Sequence, residues 1–298
     1  MLMKSGMLMA TLFVEVCMLT SCVGLPKGAS DGKTYWSIDL QTGEQEYFAS
    51  APKDGWSDEF KTTKLLLRQI DPGTVVIGGV KPVSISRPYY IGVYEVTQKQ
   101  YELIAGVNPS KFKGEKRPVG GVNYFDIRGS QKGARWPLDA EIDESGWLGR
   151  LRAKVGLAFD LPTESQWEYA CRAGSTNCYC NNGSSDADLS AVARWVGNLN
   201  DGKGGFSECT TVGSYLPNAW GLYDMHGNIY EWCLDWYGKV DAQVEIDYRG
   251  PKFGDSRVLR GGYYGDRGPW LMSAHRSLRD PSTRFPYYGF RLVGCPAE

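Results

Sequence analysis

Short apolar runs separated by glycine, proline and asparagine make up most of the chain, and they predict many short strands. Residues 35–40 and 45–48 flank a Gln-Thr-Gly-Glu turn, which predicts a hairpin. Residues 74–79 form a β-branched run that ends in two glycines, and residues 88–96 form an aromatic and β-branched run. This pattern favours a fold of short strands and tight turns over a helical bundle.

Polar capping residues mark three helix starts. Thr97 opens a short helix, and Asn123 predicts a second helix that extends to about residue 132. The capping box that begins at Thr163 predicts a helix over residues 164–172, with Gly174 as its left-handed cap. Residues 175–211 are polar and are expected to form a loop region.

The N-terminus has the composition of a secretory signal. Residues 1–21 place Lys4 before an apolar run. The sequence Leu19-Thr20-Ser21-Cys22 resembles a bacterial lipobox, in which the cysteine carries the lipid. The alternative is an ordinary signal peptide with a chance cysteine, and Glu15 inside the apolar run favours that alternative. Lipidation of Cys22 predicts a protein held on the outer surface of a bacterial cell envelope by its lipid anchor.

Composition narrows the classes of function. The chain has 33 basic and 34 acidic residues in 298, and this balance disfavours a nucleic-acid partner. Two histidines are too few for a typical zinc site. Without the two cysteines of the signal region, six remain, and we expect Cys171 and Cys233 to be buried free thiols. We expect residues 22–64 to be a leader that includes the hairpin, and residues 65–298 to form one domain.

A series of motifs in order carries a family resemblance. The most specific run is Asn218-Ala219-Trp220-Gly221-Leu222-Tyr223-Asp224-Met225-His226-Gly227-Asn228, followed by Glu231-Trp232. Arg260-Gly261-Gly262 and Gly289-Phe290-Arg291 close the series. Together these motifs resemble the formylglycine-generating enzyme (sulfatase-modifying factor) family over residues 65–295. The resemblance implies an α+β fold, an elaborated C-type lectin-like domain with short strands, few helices and much irregular chain.

The resemblance also implies that the family's oxidase chemistry is missing. The oxidase members use two cysteines before the final Gly-Phe-Arg motif. When the stretches are matched at Arg276, those positions hold Ser273 and Gly268, which supply no thiolate. We therefore expect a protein that is not an enzyme. An enzyme of the family with altered chemistry and a structural envelope lipoprotein remain the alternatives.

A calcium ion is the one cofactor that the resemblance suggests. Family members bind calcium near the Gly-Asn-x-x-Glu segment, which implies ligands from Gly227, Asn228, Ile229 and Glu231. The alternative is that Glu231 is satisfied by backbone N–H groups. Trp232, next to this carboxylate, is expected to be a buried core ring.

The segment before the last motif has a composition of its own. Residues 263–288 are rich in Tyr, Arg, Ser, Gly and Asp, and they contain no Lys, Glu or Gln. Residues 257–293 resemble the variable region of diversity-generating retroelement target proteins, and we call them the variable segment. Trp270 and Met272 do not fit a randomised asparagine codon. The alternative is an ordinary loop of an inactive family member.

The resemblance implies a ligand-binding surface for an unidentified protein or other cell-surface molecule. Its candidate contact residues are Tyr263, Tyr264, Gly265, Asp266, Arg267, Pro269, Trp270, Leu271, His275, Ser277, Leu278, Asp280, Thr283, Phe285, Pro286 and Tyr287. Variable side chains must project outward, because random substitution in a packed core is costly. The fixed-looking residues Arg260, Ser273, Arg276, Arg284 and Phe290 are expected to be buried or hydrogen-bonded.

Overall fold

A computed structural model describes residues 34–203 and 208–295 of the chain. The predicted signal peptide and the lipidation site Cys22 lie outside these residues. Within the described ranges, no helix is both long enough and apolar enough to cross a bilayer.

Short strands and a few short helices build the described part of the chain, and the predicted α+β class is confirmed. The strands are β1 Tyr35–Asp39, β2 Gln45–Phe48, β3 Lys64–Ile70, β4 Gly73–Ile77, β5 Lys81–Ile85, β6 Tyr89–Gly92, β7 Ala158–Asp160, β8 Ala193–Arg194, β9 His226–Gly227, β10 Tyr230–Trp236, β11 Glu245–Ile246, β12 Arg257–Arg260, β13 Ser277–Arg279, β14 Tyr288–Gly289 and β15 Val293–Cys295. The helices are α1 Gln98–Ala105, α2 Tyr124–Arg128, α3 Trp147–Val155, α4 Glu164–Arg172 and α5 Asp186–Val192. Single 3-10 turns cover Asp58–Lys61, Lys132–Arg135, Val196–Asn198 and Gly268–Leu271.

The predicted hairpin β1–β2 is present, but it is part of the domain and not of a separate leader. Strand β1 pairs along its whole length with β3, within a six-stranded sheet of order β2-β1-β3-β6-β15-β7. Trp36 on β1 is fully buried, and its ring stacks on Phe159 at 5.5 Å between centroids. The hairpin therefore packs together with the residues after 65, because β1 pairs with β3 and Trp36 completes the core.

A second sheet carries the variable segment. Its order is β13-β12-β10-β14, with β12 antiparallel and β14 parallel to the central strand β10. Trp232 on β10 is fully buried, as expected, and its indole N–H donates to the Val122 carbonyl at 3.1 Å. A three-stranded sheet β11-β5-β4 packs against α4, and β8 pairs with β9.

The capping signals predicted the helix starts correctly. Thr97, Asn123 and Thr163 each accept a backbone N–H in a complete capping box. Helix α4 has the predicted bounds, but its left-handed C-cap is Ala173 and not Gly174. Helix α2 is shorter than expected, because it ends at Arg128 before a separate 3-10 turn. Helices α3 and α5 were not predicted, and α5 lies inside the expected loop region.

Candidate functional site

The chain of the variable segment leaves the second sheet beside Glu231 of β10 and returns to that sheet on the other side of the same residue. Glu231 pairs with Arg260 of β12 on one side and with Gly289 of β14 on the other. The chain between these two points forms a 3-10 turn, the edge strand β13 and several tight turns. The loop between Arg260 and Gly289 is therefore fixed at both ends in the same sheet.

A buried ion pair holds the first part of the segment. Arg260 and Glu168 of α4 are both fully buried, and the guanidinium Nη2 donates to the carboxylate. The same guanidinium donates to the carbonyl of Ser273 at 2.8 Å and to that of His275. Glu168 also accepts the backbone N–H of Gly78 at 2.9 Å, so the β4–β5 turn is tied to the same centre. Charge-assisted bonds in this buried position fix the backbone of residues 273–275.

Two further arginines of the segment pair bidentately with scaffold carboxylates. Arg276 donates from Nε at 2.6 Å and from Nη2 at 2.7 Å to Glu164 at the start of α4. Arg284 donates from Nε at 2.8 Å and from Nη2 at 2.5 Å to Asp126 of α2. The Arg284 side chain is 59% exposed, so it is hydrogen-bonded but not buried. Of the other fixed-looking residues, Ser273 and Phe290 are fully buried, as expected.

Glu231 does not fit the calcium site that the family resemblance suggests. Its Oε2 accepts Arg291 Nε at 2.6 Å and Trp167 Nε1 at 2.7 Å, and its Oε1 accepts Arg291 Nη2 at 2.6 Å. The Asn228 side chain is also occupied, because it donates to Glu95 and accepts the Thr210 N–H. Calcium binds only oxygen ligands that are free to face it. A guanidinium occupies the place of a cation at Glu231, so the side chains of Glu231 and Asn228 do not fit as calcium ligands. The proposed contributions of Gly227 and Ile229 stay a prediction.

Most of the candidate contact side chains reach the surface. Fourteen of the sixteen are half-buried or exposed, and Trp270, Phe285 and Leu278 are exposed by 52%, 41% and 38%. Tyr264 and Leu271 are buried, which corrects the expectation for these two positions. Leu271 packs into a small cluster that includes Leu189 of α5, and Tyr264 packs into another cluster. Both side chains support the segment from below and cannot contact a ligand.

Four aromatic rings form a parallel stack in the surface, which we call the ring stack. Tyr230 stacks on Tyr263 at 5.9 Å between centroids, Tyr263 on Tyr287 at 4.1 Å, and Tyr287 on Phe285 at 5.4 Å. Their interplanar angles are between 13° and 27°. Such offset stacks hold large rings in defined positions at low entropic cost.

Two polar groups of the surface, Asp266 and His275, have shifted pKa values. Burial raises the pKa of Asp266, although a hydrogen bond from Tyr230 opposes the shift. Burial and the charge of Arg260 lower the pKa of His275 to about 4. The His275 imidazole, which meets the Trp270 ring edge-on at 5.0 Å, is therefore neutral at neutral pH.

Ser273, one of the two positions that the family's cysteines occupy, is buried beside the Cys171 thiol. Ser273 Oγ is 3.7 Å from the Cys171 thiol, which is also 3.7 Å from His226 Nε2. His226 Nε2 accepts the Cys180 N–H at 3.0 Å, so its proton lies on Nδ1, which donates to the Leu271 carbonyl at 2.7 Å. Burial raises the pKa of Cys171 to about 12, and the prediction that it and Cys233 are buried free thiols is confirmed.

No group of three or more His, Cys, Asp or Glu residues in the described ranges is arranged to hold a metal ion.

The sequence interpretation missed three scaffold residues of the site, namely Glu164, Glu168 and Asp126. Their roles depend on ion pairs with arginines more than 90 residues away, which the sequence pattern does not show. The sequence showed only that all three acids lie within the first two turns of helices with predicted capping residues.

The chain is similar to proteins of known class. Residues 58–295 match the model of the sulfatase-modifying factor enzyme 1-like domain. The chain is 37% identical over 248 residues to the formylglycine-generating enzyme of Streptomyces coelicolor, covering 70% of this chain and 78% of the enzyme. It is 33% identical over 224 residues to the serine/threonine-protein kinase pkn1 of Chlamydia pneumoniae. That match covers 70% of this chain but only 33% of the kinase, so the chain spans about a third of that relative's length.

A solved structure shares the architecture. The fold superposes on Treponema denticola variable protein 1 with a TM-score of 0.64 and 26% sequence identity. The match covers 78% of this chain and 96% of that chain. The C-type lectin-like fold expected from the sequence is thereby confirmed.

Proposed function

The chain belongs to the sulfatase-modifying factor family, and from that premise we propose that it is a non-catalytic binding protein. Its C-type lectin-like scaffold displays the variable segment, residues 257–293, as a ligand-binding surface. In this proposal, a retroelement diversifies the segment, and a lipid on Cys22 anchors the protein to the outer surface of a bacterial envelope. The ligand is a protein or another cell-surface molecule.

The observation that carries the proposal is that the segment contains two kinds of residue. Some hold its backbone to the scaffold, and the others reach the surface. Fourteen of the sixteen candidate residues are half-buried or exposed, while Arg260, Arg276 and Arg284 tie the backbone to scaffold carboxylates. Changes in outward side chains cost little, because surface substitutions mostly stay within about 0.5 kcal/mol. A surface of this kind tolerates many sequences on one backbone. The similarity to a variable protein of Treponema denticola supports the same function.

The DNA that flanks the coding sequence tests this proposal. A diversified segment requires a near-copy of the 3′ end that differs mainly at adenines, beside a reverse transcriptase gene. We expect sequencing of the locus to find both. If neither is present, the retroelement function is wrong, and a structural envelope lipoprotein becomes the better account.

The similarity to formylglycine-generating enzymes favours a second candidate, an enzyme with altered chemistry. Cys171 lies next to Ser273, where the family has a catalytic cysteine, but burial raises its pKa to about 12. A thiol that remains protonated is a poor nucleophile and a poor metal ligand. We therefore expect the purified protein, supplied with copper and oxygen, to leave a cysteine-containing sulfatase peptide unchanged. Mass-spectrometric detection of the aldehyde product would establish the enzyme instead.

A further inference from the structure

Asp235 of β10 is a buried carboxyl group without a cationic partner. Its side chain is fully buried, and one of its oxygens accepts the backbone N–H of Glu164 at 2.7 Å. Among the described residues, the other oxygen has no hydrogen-bond partner, and no lysine, arginine or histidine forms an ion pair with the group. A buried carboxylate with a single donor is costly, so the folded chain favours the protonated form. The pKa of Asp235, which burial raises to about 7, agrees with this geometry.

The titratable and charged groups that face Asp235 come from several parts of the chain. They are Glu164 of α4, Arg257 of β12, Arg276 of the variable segment, Tyr248 and Arg249 before β12, and Cys233 on the same strand. Burial raises the pKa of Tyr248 to about 12 and that of Cys233 well above its usual value, so both are neutral near pH 7. The charges that act on Asp235 are therefore those of one carboxylate and of guanidinium groups.

The main chain already holds Arg257, the nearest of these guanidinium groups on a neighbouring strand. Its Nη1 and Nη2 donate to three backbone carbonyls, two of them at 2.6 Å. Its guanidinium carbon also lies 3.4 Å from the centroid of the Trp236 ring. Arg257 would lose these contacts if it turned to pair with Asp235. Arg276 is therefore the cation for which an ionised Asp235 competes.

Glu164 connects Asp235 to the variable segment. Its backbone N–H donates to Asp235, and its carboxylate accepts Arg276 Nε at 2.6 Å and Arg276 Nη2 at 2.7 Å. Loss of the Asp235 proton places a second negative charge beside this buried carboxylate. Like charges in a buried site repel each other, and both then compete for one guanidinium. The bidentate pair that fixes the segment is weakened as a result.

We propose that the proton on Asp235 controls how firmly the variable segment is held. With the proton bound, Glu164 keeps Arg276. After the proton passes to solvent, residues 272–279 open more often. The pKa of Asp235 is raised above its ordinary value of 3.8, so this stabilisation is complete at acidic pH and is lost as the pH rises towards 7. The inference deepens the proposed function and rests on it, because it gives the ligand surface a dependence on pH.

Hydrogen–deuterium exchange on the full-length chain, read by mass spectrometry and corrected for the intrinsic effect of pH, tests the inference. The peptide of residues 272–279 reports on the segment, and a peptide of β3 in the six-stranded sheet is the reference. The opened segment exposes Asp235 to water, where its pKa returns to the ordinary value. We therefore expect the protection factor of the segment to fall by about tenfold per pH unit from about pH 5 to about pH 7 and then to level off. The protection factor of β3 should change less.

Asp235→Asn keeps the shape and the acceptor oxygen of the side chain but cannot titrate, so we expect it to abolish the fall. Asp54→Asn, at an exposed position, is the matched control and should retain the fall. An equal fall in the reference peptide, a fall that persists in Asp235→Asn, or no fall in the unmodified chain would each overturn the inference. The comparison of the two peptides in the unmodified chain decides the question even if Asp235→Asn does not fold.

The exchange measurement needs no ligand and no knowledge of the locus, so the two proposals can fail separately. A template repeat together with pH-independent protection of the segment removes this inference and leaves the proposed function. An absent repeat together with the expected fall removes the ligand-binding function and leaves the control of the segment by Asp235.

Discussion

Asp235 on β10 accepts the backbone N–H of Glu164 at 2.7 Å through one oxygen, and its other oxygen has no hydrogen-bond partner among the described residues. Both side chains are fully buried, and Glu164 also holds Arg276 of the variable segment. Burial, and then the charge of Glu164, raise the pKa of Asp235 to about 7. The buried scaffold that holds the variable segment therefore contains a carboxyl group that titrates near neutral pH.

This carboxyl group makes stability depend on pH. Between its ordinary pKa of 3.8 and its folded pKa of about 7, the unfolded chain releases the Asp235 proton and the folded chain keeps it. The contribution of this group to the free energy of unfolding is full below the lower value and falls by about 1.4 kcal/mol per pH unit across the window. Asp235→Asn should remove that slope in denaturant titrations from acidic to neutral pH.

The exposed residue Asp54 provides the control for that titration, because Asp54→Asn removes a carboxylate from the surface. We expect the slope to remain in the Asp54 variant. Equal slopes in the Asp235 variant and the unmodified chain would show that Asp235 does not titrate in this range.

Leu271 and Leu278 form a matched pair within the variable segment. Leu271 is fully buried and Leu278 is 38% exposed. Leu271→Ala should lower the free energy of unfolding by about 2–5 kcal/mol, and Leu278→Ala by about 0.5 kcal/mol or less. Denaturant midpoints measure both changes. Similar small losses would restore Leu271 as a variable contact position.

The two bidentate arginine pairs should differ in strength. Glu164→Gln removes the charge that faces buried Arg260 and largely buried Arg276, so we expect a loss of about 3–5 kcal/mol. Arg284→Gln breaks an exposed pair and should cost about 1 kcal/mol or less. Chemical denaturation of both variants checks the order, and a reversed order would contradict the assignment of the buried centre.

Trp232 should be the most sensitive ring of the second sheet. Trp232→Ala removes a fully buried indole and is expected to lower the free energy of unfolding by about 3–5 kcal/mol. Trp270→Ala removes a ring that is 52% exposed, so its loss should be smaller. An unchanged denaturant midpoint for the Trp232 variant would mean that this ring is exposed in solution.

Calcium should have no effect on stability through Glu231. Its carboxylate already accepts three N–H groups from Arg291 and Trp167. We expect the same thermal midpoint with excess chelator and with excess calcium. A higher midpoint in calcium would indicate that the ion displaces the guanidinium or binds elsewhere in the chain.

Features that depend on residues close together in the chain were predicted from the sequence more completely than features that depend on long-range pairing. The bounds of α4 follow from its capping box, which involves residues three apart in the chain. The place of the hairpin in the main sheet depends on β1 pairing with β3, and no short motif encodes that contact. The outward and inward positions of the variable segment were also incompletely predicted. This segment has no regular period, so the burial of Tyr264 and Leu271 follows only from the path of the backbone.

The return of the variable segment to Glu231 has a consequence for its length. Because β12 and β14 flank β10, the ends of the excursion lie two strand spacings apart, about 10 Å, whatever the chain does between them. The entropy of closing such a loop grows only with the logarithm of its length, by about 0.6 kcal/mol for each doubling. The scaffold therefore limits where the loop starts and ends much more strongly than how many residues it contains. Insertions between the arginine anchors should be accepted nearly as readily as substitutions.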